Sequence, residues 1–83
     1  MDSKAQGFAE EAIRAVGRDD VDGARSAVAA AYDVDHSIGP LADAIYLACS
    51  EIEEEGTVSI STWNTLADAV PGPLVAVVEA NRT

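Results

Sequence analysis

Apolar residues recur at spacings of three and four positions along most of the chain. Between residues 4 and 16 they are Ala5, Phe8, Ala9, Ala12, Ile13 and Val16, and between residues 21 and 33 they are Val21, Ala24, Val28, Ala31 and Tyr32. This spacing places side chains on one face of an α-helix, whereas a half-buried strand requires strict alternation. The pattern therefore predicts an all-α protein.

Turn-forming residues interrupt this period and divide the chain into four to five short helices. We expect helices over residues 4–16, 21–33, 40–54 and 60–69. Because the intervening turns are short, consecutive helices are predicted to pack as helical hairpins. A chain of 83 residues is long enough for one domain and too short for two, so we expect a compact bundle over residues 1–83.

Polar residues and glycines flank these segments and indicate where each helix begins and ends. A side-chain oxygen just before a helix accepts a backbone N–H that has no partner within the helix. A glycine just after a helix adopts the left-handed conformation easily. The expected N-caps are Ser3 with Gln6 in the capping-box position, Asp19 or Asp20, Ser37 or Gly39, and Ser59. The expected helix stops are Gly17 and Gly56.

Residues 74–80 carry two conflicting signals. Pro73 suits the first turn of a helix, whereas the run Leu-Val-Ala-Val-Val favours a strand. A lone strand is not stable, and the sequence offers no second convincing strand for it to pair with. We therefore expect a short helix.

The formal net charge is −10, with 15 acidic residues against 5 basic ones. Such a chain repels the phosphate backbone of nucleic acids and the surface of anionic membranes. Direct nucleic-acid binding and membrane binding are therefore not expected. A basic protein is the charged partner that this composition favours.

Cys49 is the only cysteine, which excludes an internal disulfide and favours a reducing compartment. The N-terminal residues lack the basic segment and apolar run of a signal peptide. The longest apolar runs are too short to span a bilayer. We therefore expect a soluble, cytoplasmic protein.

One turn carries candidate cation ligands. Asp33, Asp35 and Ser37 supply oxygen atoms at alternate positions, as a calcium-binding loop does. However, Ile38 stands where such a loop needs glycine, and Ala44 where it needs a bidentate glutamate. Two interpretations stay open, an ordinary turn with capping carboxylates and a weak cation site.

Residues suited to catalysis are sparse. His36 and Cys49 are the strongest soft-metal ligands in the chain, and a structural zinc site needs four. Cys49 also falls within an apolar helix stripe, where cysteine behaves as a small core residue. Glycine-rich phosphate loops and serine nucleophile elbows are absent from the sequence. We therefore expect no enzyme activity, catalytic residue, bound metal or cofactor.

Glu51, Glu53, Glu54 and Glu55 crowd the C-terminal end of the third helix. Negative charge there opposes the helix dipole, and Glu51 and Glu55 are like charges four residues apart. The cluster is either a solvated, solubilising face or a docking patch for a basic partner. The docking interpretation assigns partner binding to these four glutamates. It also predicts that Glu53, Glu54 and Glu55 contribute nothing favourable to the fold.

These observations favour a small acidic, non-catalytic helical protein that acts as a protein–protein interaction or regulatory module. The alternative is a domain that binds a small ligand or a divalent cation. The apolar face of the third helix, which Tyr46, Leu47 and Cys49 widen, further predicts a homodimer. A second copy could cover a face that the small core of one copy leaves open.

Overall fold

A computed structural model describes residues 1–82, and these residues form five α-helices. They are α1 (Ser3–Gly17), α2 (Val21–Val34), α3 (Gly39–Glu55), α4 (Ile60–Ala69) and α5 (Gly72–Asn81). A 3₁₀ turn at His36–Ile38 leads into α3. Helix accounts for 84% of the structure, and residues 1–82 contain no strand. The all-α prediction is confirmed.

The ambiguous C-terminal segment is a helix, as expected, and it is longer than predicted. Pro73 lies in its first turn, where a backbone N–H is not needed. Leu74 and Val78 are four residues apart and both are buried. Because α5 packs against α1 and α4, these two side chains, which share one face of the helix, meet other helices.

Successive helices pack against each other as hairpins, and α5 closes the bundle by returning to α1. Much of the interior is alanine, and such small side chains let helix axes approach closely. The buried alanines are Ala5, Ala9, Ala12, Ala15, Ala24, Ala27, Ala31, Ala42, Ala44 and Ala48. Larger side chains, among them Ile13, Leu41, Ile45 and Leu66, fill the remaining space.

Three predicted helix ends are confirmed. Asp20 caps α2 by accepting the Gly23 N–H at 3.0 Å. Ser59 caps α4 by accepting the Thr62 N–H at 3.2 Å. Gly56 ends α3 in the left-handed conformation, with a φ of 79°.

Two predicted N-caps are wrong. Asp2, and not Ser3, precedes α1, and its carboxylate accepts the Lys4 N–H at 2.8 Å. Neither Ser37 nor Gly39 caps α3, since the residue before it is Ile38, which makes no side-chain cap. The 3₁₀ turn runs directly into α3, so the capping carboxylate sits one turn earlier, at Asp35.

Gly17 is the last residue of α1 and not the residue that stops it. Asp19 adopts the left-handed conformation instead, with a φ of 59°, and aspartate tolerates this conformation better than most residues. Gly17 has a different role, because a Cβ atom there would lie 2.8 Å from Oδ1 of Asn81. The glycine therefore lets the end of α5 approach α1.

Three large side chains that were predicted to extend the buried faces lie on the surface. Tyr32 is 43% exposed, Tyr46 42% and Leu47 49%. Adjacent helix positions point about 100° apart. Because Ala31 and Ile45 face the core, the two tyrosines that follow them are turned to its edge.

Candidate partner-binding surface

The glutamate cluster at the end of α3 contains one residue that is tied into the fold. The Glu51 carboxylate accepts the Ser59 N–H at 2.8 Å, the Thr62 hydroxyl at 2.6 Å and the Ser59 hydroxyl at 3.3 Å. Thr62 is itself buried. Glu51 therefore joins the end of α3 to the first turn of α4.

Two opposing effects act on the pKa of Glu51. Partial burial is the largest single effect and raises the pKa, because it disfavours the charged form. The hydrogen bonds from Thr62 and Ser59 stabilise the carboxylate and together outweigh burial, so the pKa lies below its usual value. Glu51 is therefore ionised and structural near neutral pH.

Glu53 pairs with Arg25 of α2. One guanidinium nitrogen donates to Glu53 Oε1 at 2.6 Å and the other to Oε2 at 3.3 Å. This contact joins α2 to α3, and the hydrogen bond and positive charge of Arg25 lower the pKa of Glu53. The expectation that Glu53 contributes nothing favourable to the fold overlooks this partner.

Glu54 and Glu55 are exposed, and neither forms an ion pair within residues 1–82. Each of the four arginines forms an ion pair with a carboxylate other than Glu54 or Glu55. The pairs are Arg14 with Glu10, Arg18 with Glu11 and Asp20, Arg25 with Glu53, and Arg82 with Glu79. The structure thus divides the predicted cluster: Glu51 and Glu53 have internal partners, whereas Glu54 and Glu55 face solvent.

Glu54 belongs to an exposed stripe that follows α3 and that we call the α3 stripe. Its members are spaced three or four residues apart on one face, and they are Asp43, Tyr46, Leu47, Ser50 and Glu54. At about 1.5 Å per residue, the stripe runs about 16 Å from Asp43 to Glu54. It carries a carboxylate at each end and apolar side chains between them.

Beside the α3 stripe lies a groove of about 480 Å³ between α2 and α3, which we call the tyrosine groove. Its lining residues are Ala29, Tyr32 and Asp33 from α2, and Gly39, Ala42, Asp43 and Tyr46 from α3. The glycine and the two alanines leave the space open. The Tyr32 ring also packs against His36, with the ring centroids 4.9 Å apart.

Sequence reasoning missed the tyrosine groove because it assigned Tyr32 and Tyr46 to buried faces. A signal was present, since each tyrosine has a carboxylate beside it on its own helix, Asp33 adjacent to Tyr32 and Asp43 three residues before Tyr46. A charged residue at the edge of an apolar stripe marks where the buried face ends. That signal places both tyrosines at the border with solvent.

In the turn at residues 33–37, the carboxylate of Asp35 is bonded to Ser37. Asp35 accepts the Ser37 N–H at 3.0 Å and the Ser37 hydroxyl at 2.6 Å, and these bonds lower its pKa. Asp33 lines the tyrosine groove instead. In the part of the chain that the structure describes, no three His, Cys, Asp or Glu side chains are placed to hold a metal ion.

Cys49 and His36 have different surroundings. Cys49 is fully buried and its thiol donates weakly to the Val21 carbonyl oxygen, at 3.9 Å. Burial raises the pKa of the thiol and so opposes formation of the thiolate. His36 is exposed and lies against Tyr32. These observations agree with Cys49 as a core residue.

None of the helices within residues 1–82 is both long enough and apolar enough to cross a membrane. No protein-family model, curated protein or solved structure matches the chain.

Proposed function

We propose that this protein is a non-catalytic helical interaction module that binds a basic segment of a partner protein along the α3 stripe. The observation that carries the proposal is the stripe itself, on which exposed apolar side chains lie between carboxylates that have no ion-pair partner within residues 1–82. A basic segment supplies the charge that this surface lacks.

Charge supports this kind of partner. The chain carries a formal net charge of −10, and its arginines are already paired with carboxylates of the same chain. The surplus negative charge therefore faces solvent and attracts cationic proteins at long range. Such steering acts mainly on the association rate, and contacts within the complex then set its lifetime.

The size and chemistry of the α3 stripe also fit a short peptide segment. A length of about 16 Å corresponds to about five residues of extended chain, at roughly 3.3 Å per residue. Tyr46 and Leu47 supply apolar contact area at its centre, and aromatic residues are common energetic anchors of interfaces. Asp43 and Glu54 offer carboxylates to basic side chains at either end.

A peptide titration tests the proposal. The ¹⁵N-labelled protein is titrated with a peptide of alternating lysine and glycine, and amide shifts are followed by NMR at about 50 mM salt, where the screening length is still long. We expect the largest shifts at Tyr46, Leu47, Ser50 and Glu54. Shifts spread evenly over all acidic surfaces, or no binding, would refute the proposal.

A pair of matched variants separates the α3 stripe from overall charge. Glu54→Gln/Glu55→Gln removes the charge at the end of the stripe and the exposed charge next to it, and Asp22→Asn/Asp68→Asn removes two exposed charges from α2 and α4. We expect stopped-flow association with the same peptide to slow about two- to fivefold in the first variant and less in the second. Equal slowing in both would leave only a solubilising role for Glu54 and Glu55.

The tyrosine groove favours a second candidate function, the binding of a small organic ligand. Its volume of about 480 Å³ lies within the range of small-molecule sites. In that case the peptide would cause no shifts, and a soluble metabolite extract would shift the amides of the groove residues of α2 and α3. The NMR titration therefore distinguishes the two functions.

Self-association is a separate proposal, and Tyr46 and Leu47 are the observation that favours it. Most of the apolar face that motivated it is buried within one copy, because Leu41, Ile45 and Cys49 pack into the core. Two copies would also repel each other through their like charge. Light scattering at tens of micromolar protein, with and without added salt, tests for a dimer, and we expect salt to favour it.

A further inference from the structure

The tyrosine groove combines aromatic faces with carboxylates. The Tyr32 and Tyr46 rings line it from opposite helices and are both partly exposed. Asp33 and Asp43 line it beside them, and within residues 1–82 neither carboxylate forms an ion pair. The face of an aromatic ring is electronegative, so ring and carboxylate attract the same ligand, a cation.

We propose that the tyrosine groove receives an arginine side chain of the basic segment, and this inference rests on the proposed function. The guanidinium stacks on the Tyr32 or Tyr46 ring and donates hydrogen bonds to the Asp33 or Asp43 carboxylate. No basic residue of the chain lines the groove, so the cation comes from the partner.

Three features select arginine over lysine. Its guanidinium is planar and stacks on an aromatic ring, it presents paired N–H groups to a carboxylate, and it is more weakly hydrated than an ammonium. The small side chains of Ala29 and Ala42, together with Gly39, leave room for a flat group to enter. An arginine–carboxylate pair already joins these two helices elsewhere, since Arg25 of α2 donates two hydrogen bonds to Glu53 of α3.

The tyrosine groove and the α3 stripe share two residues, Asp43 and Tyr46. An arginine seated in the groove therefore places the rest of its segment at one end of the stripe. Basic residues farther along the segment then lie toward Glu54. A single partner segment with one arginine and flanking basic residues satisfies both surfaces.

Three labelled peptides of identical length provide the probes. Each has lysines alternating with glycines, and the central position is arginine, lysine or citrulline. Citrulline has the shape of arginine without its charge. Dissociation constants are measured by fluorescence anisotropy at about 50 mM salt. We expect the arginine peptide to bind about three- to tenfold more tightly than the lysine peptide, because a guanidinium stacks flat on the ring and offers paired N–H groups to the carboxylate. The citrulline peptide should bind most weakly.

Tyrosine variants test whether the tyrosine groove causes the preference for arginine over lysine. We expect Tyr32→Leu and Tyr46→Leu to abolish the difference between the arginine and lysine peptides. Tyr32→Phe and Tyr46→Phe should retain it, because the ring stays. Circular dichroism and Trp63 fluorescence of each variant check that a loss of preference is not a folding defect. An unchanged preference in the leucine variants would overturn the proposal.

Asp33→Asn/Asp43→Asn and Glu54→Gln/Glu55→Gln each remove two charges, so their comparison separates this inference from the proposed function. If both reduce affinity for the arginine peptide and only the first removes its advantage over lysine, the groove holds the arginine. If the arginine and lysine peptides bind equally and both double variants weaken them alike, the proposed function stands and the arginine site is refuted. If no peptide binds, both the proposed function and the arginine site are refuted.

If Tyr46→Leu changes the sedimentation mass of the free protein, a second copy occupies the groove and the arginine proposal is overturned.

Discussion

Replacing Glu51 by glutamine tests whether this glutamate belongs to the fold. The side chain accepts three hydrogen bonds, from the Ser59 N–H, the Ser59 hydroxyl and the Thr62 hydroxyl. A hydrogen bond to a charged group contributes about 1.5–3 kcal/mol, and these three share one partly exposed carboxylate. Glutamine keeps one acceptor oxygen and turns an amide N–H₂ toward the other donors. We expect the free energy of unfolding to fall by about 1–2 kcal/mol.

Urea unfolding followed by Trp63 fluorescence measures this change, because Trp63 is buried and reports the loss of packing. For a domain of this size the expected drop in Tm is roughly 4–8 °C per kcal/mol. Glu55→Gln is the matched control, since it removes the same charge from the same helix end without breaking a hydrogen bond. It should raise stability by about 0.3–1 kcal/mol, because it removes a charge that the helix dipole disfavours.

The effect of Glu51→Gln also depends on pH in a defined direction. The pKa of Glu51 in the folded state lies below its ordinary value of 4.5. The ionised carboxylate therefore contributes stability above about that pH, and the contribution is lost as the pH falls through the lower folded-state pKa. The stability difference between wild type and Glu51→Gln should therefore become smaller as the pH falls from the ordinary pKa toward the folded-state pKa. A difference that is absent near pH 7, or constant down to about pH 3, would refute this assignment.

Three further predictions follow from packing and ion pairs. A double-mutant cycle with Arg25→Ala and Glu53→Gln should give a small favourable coupling energy that decreases with added salt, because both side chains are substantially exposed. No coupling at low salt would mean that the contact contributes nothing. Gly7→Ala should stabilise the protein by about 0.5–1 kcal/mol, because a Cβ there meets nothing within 4 Å. Gly17→Ala should give no such gain in stability, because its Cβ would meet Asn81. Equal increases in the free energy of unfolding for both variants, measured by urea unfolding, would contradict the close approach of Asn81 to Gly17. The Cys49 thiol should react with a thiol reagent only on unfolding, since it is fully buried and its pKa is raised. Rapid labelling of the native protein would contradict this.

The division of the glutamate cluster could not be read from the sequence. The helix dipole and the spacing of like charges are local properties, and they treat Glu51, Glu53 and Glu55 alike. The partners of Glu51 are 8 and 11 residues away, at the N-cap and in the first turn of α4, and Arg25 of α2 lies 28 residues before Glu53. Which glutamate meets which partner depends on how the helices pack.

The amino-acid sequence by itself determined the all-α class, the approximate helix bounds and the caps at Ser59 and Gly56, and it limited the cap of α2 to Asp19 or Asp20. These features arise from interactions within about four residues, such as the i to i+4 hydrogen bond and the capping of a first turn, so the local pattern contains them. Only the tertiary structure decided the rest. The return of α5 to α1 gives Gly17 its role, and the rotation of α2 and α3 about their axes sets Tyr32 and Tyr46 at the border of the core. The tyrosine groove exists because two helices expose these edges side by side, and no single helix encodes that arrangement.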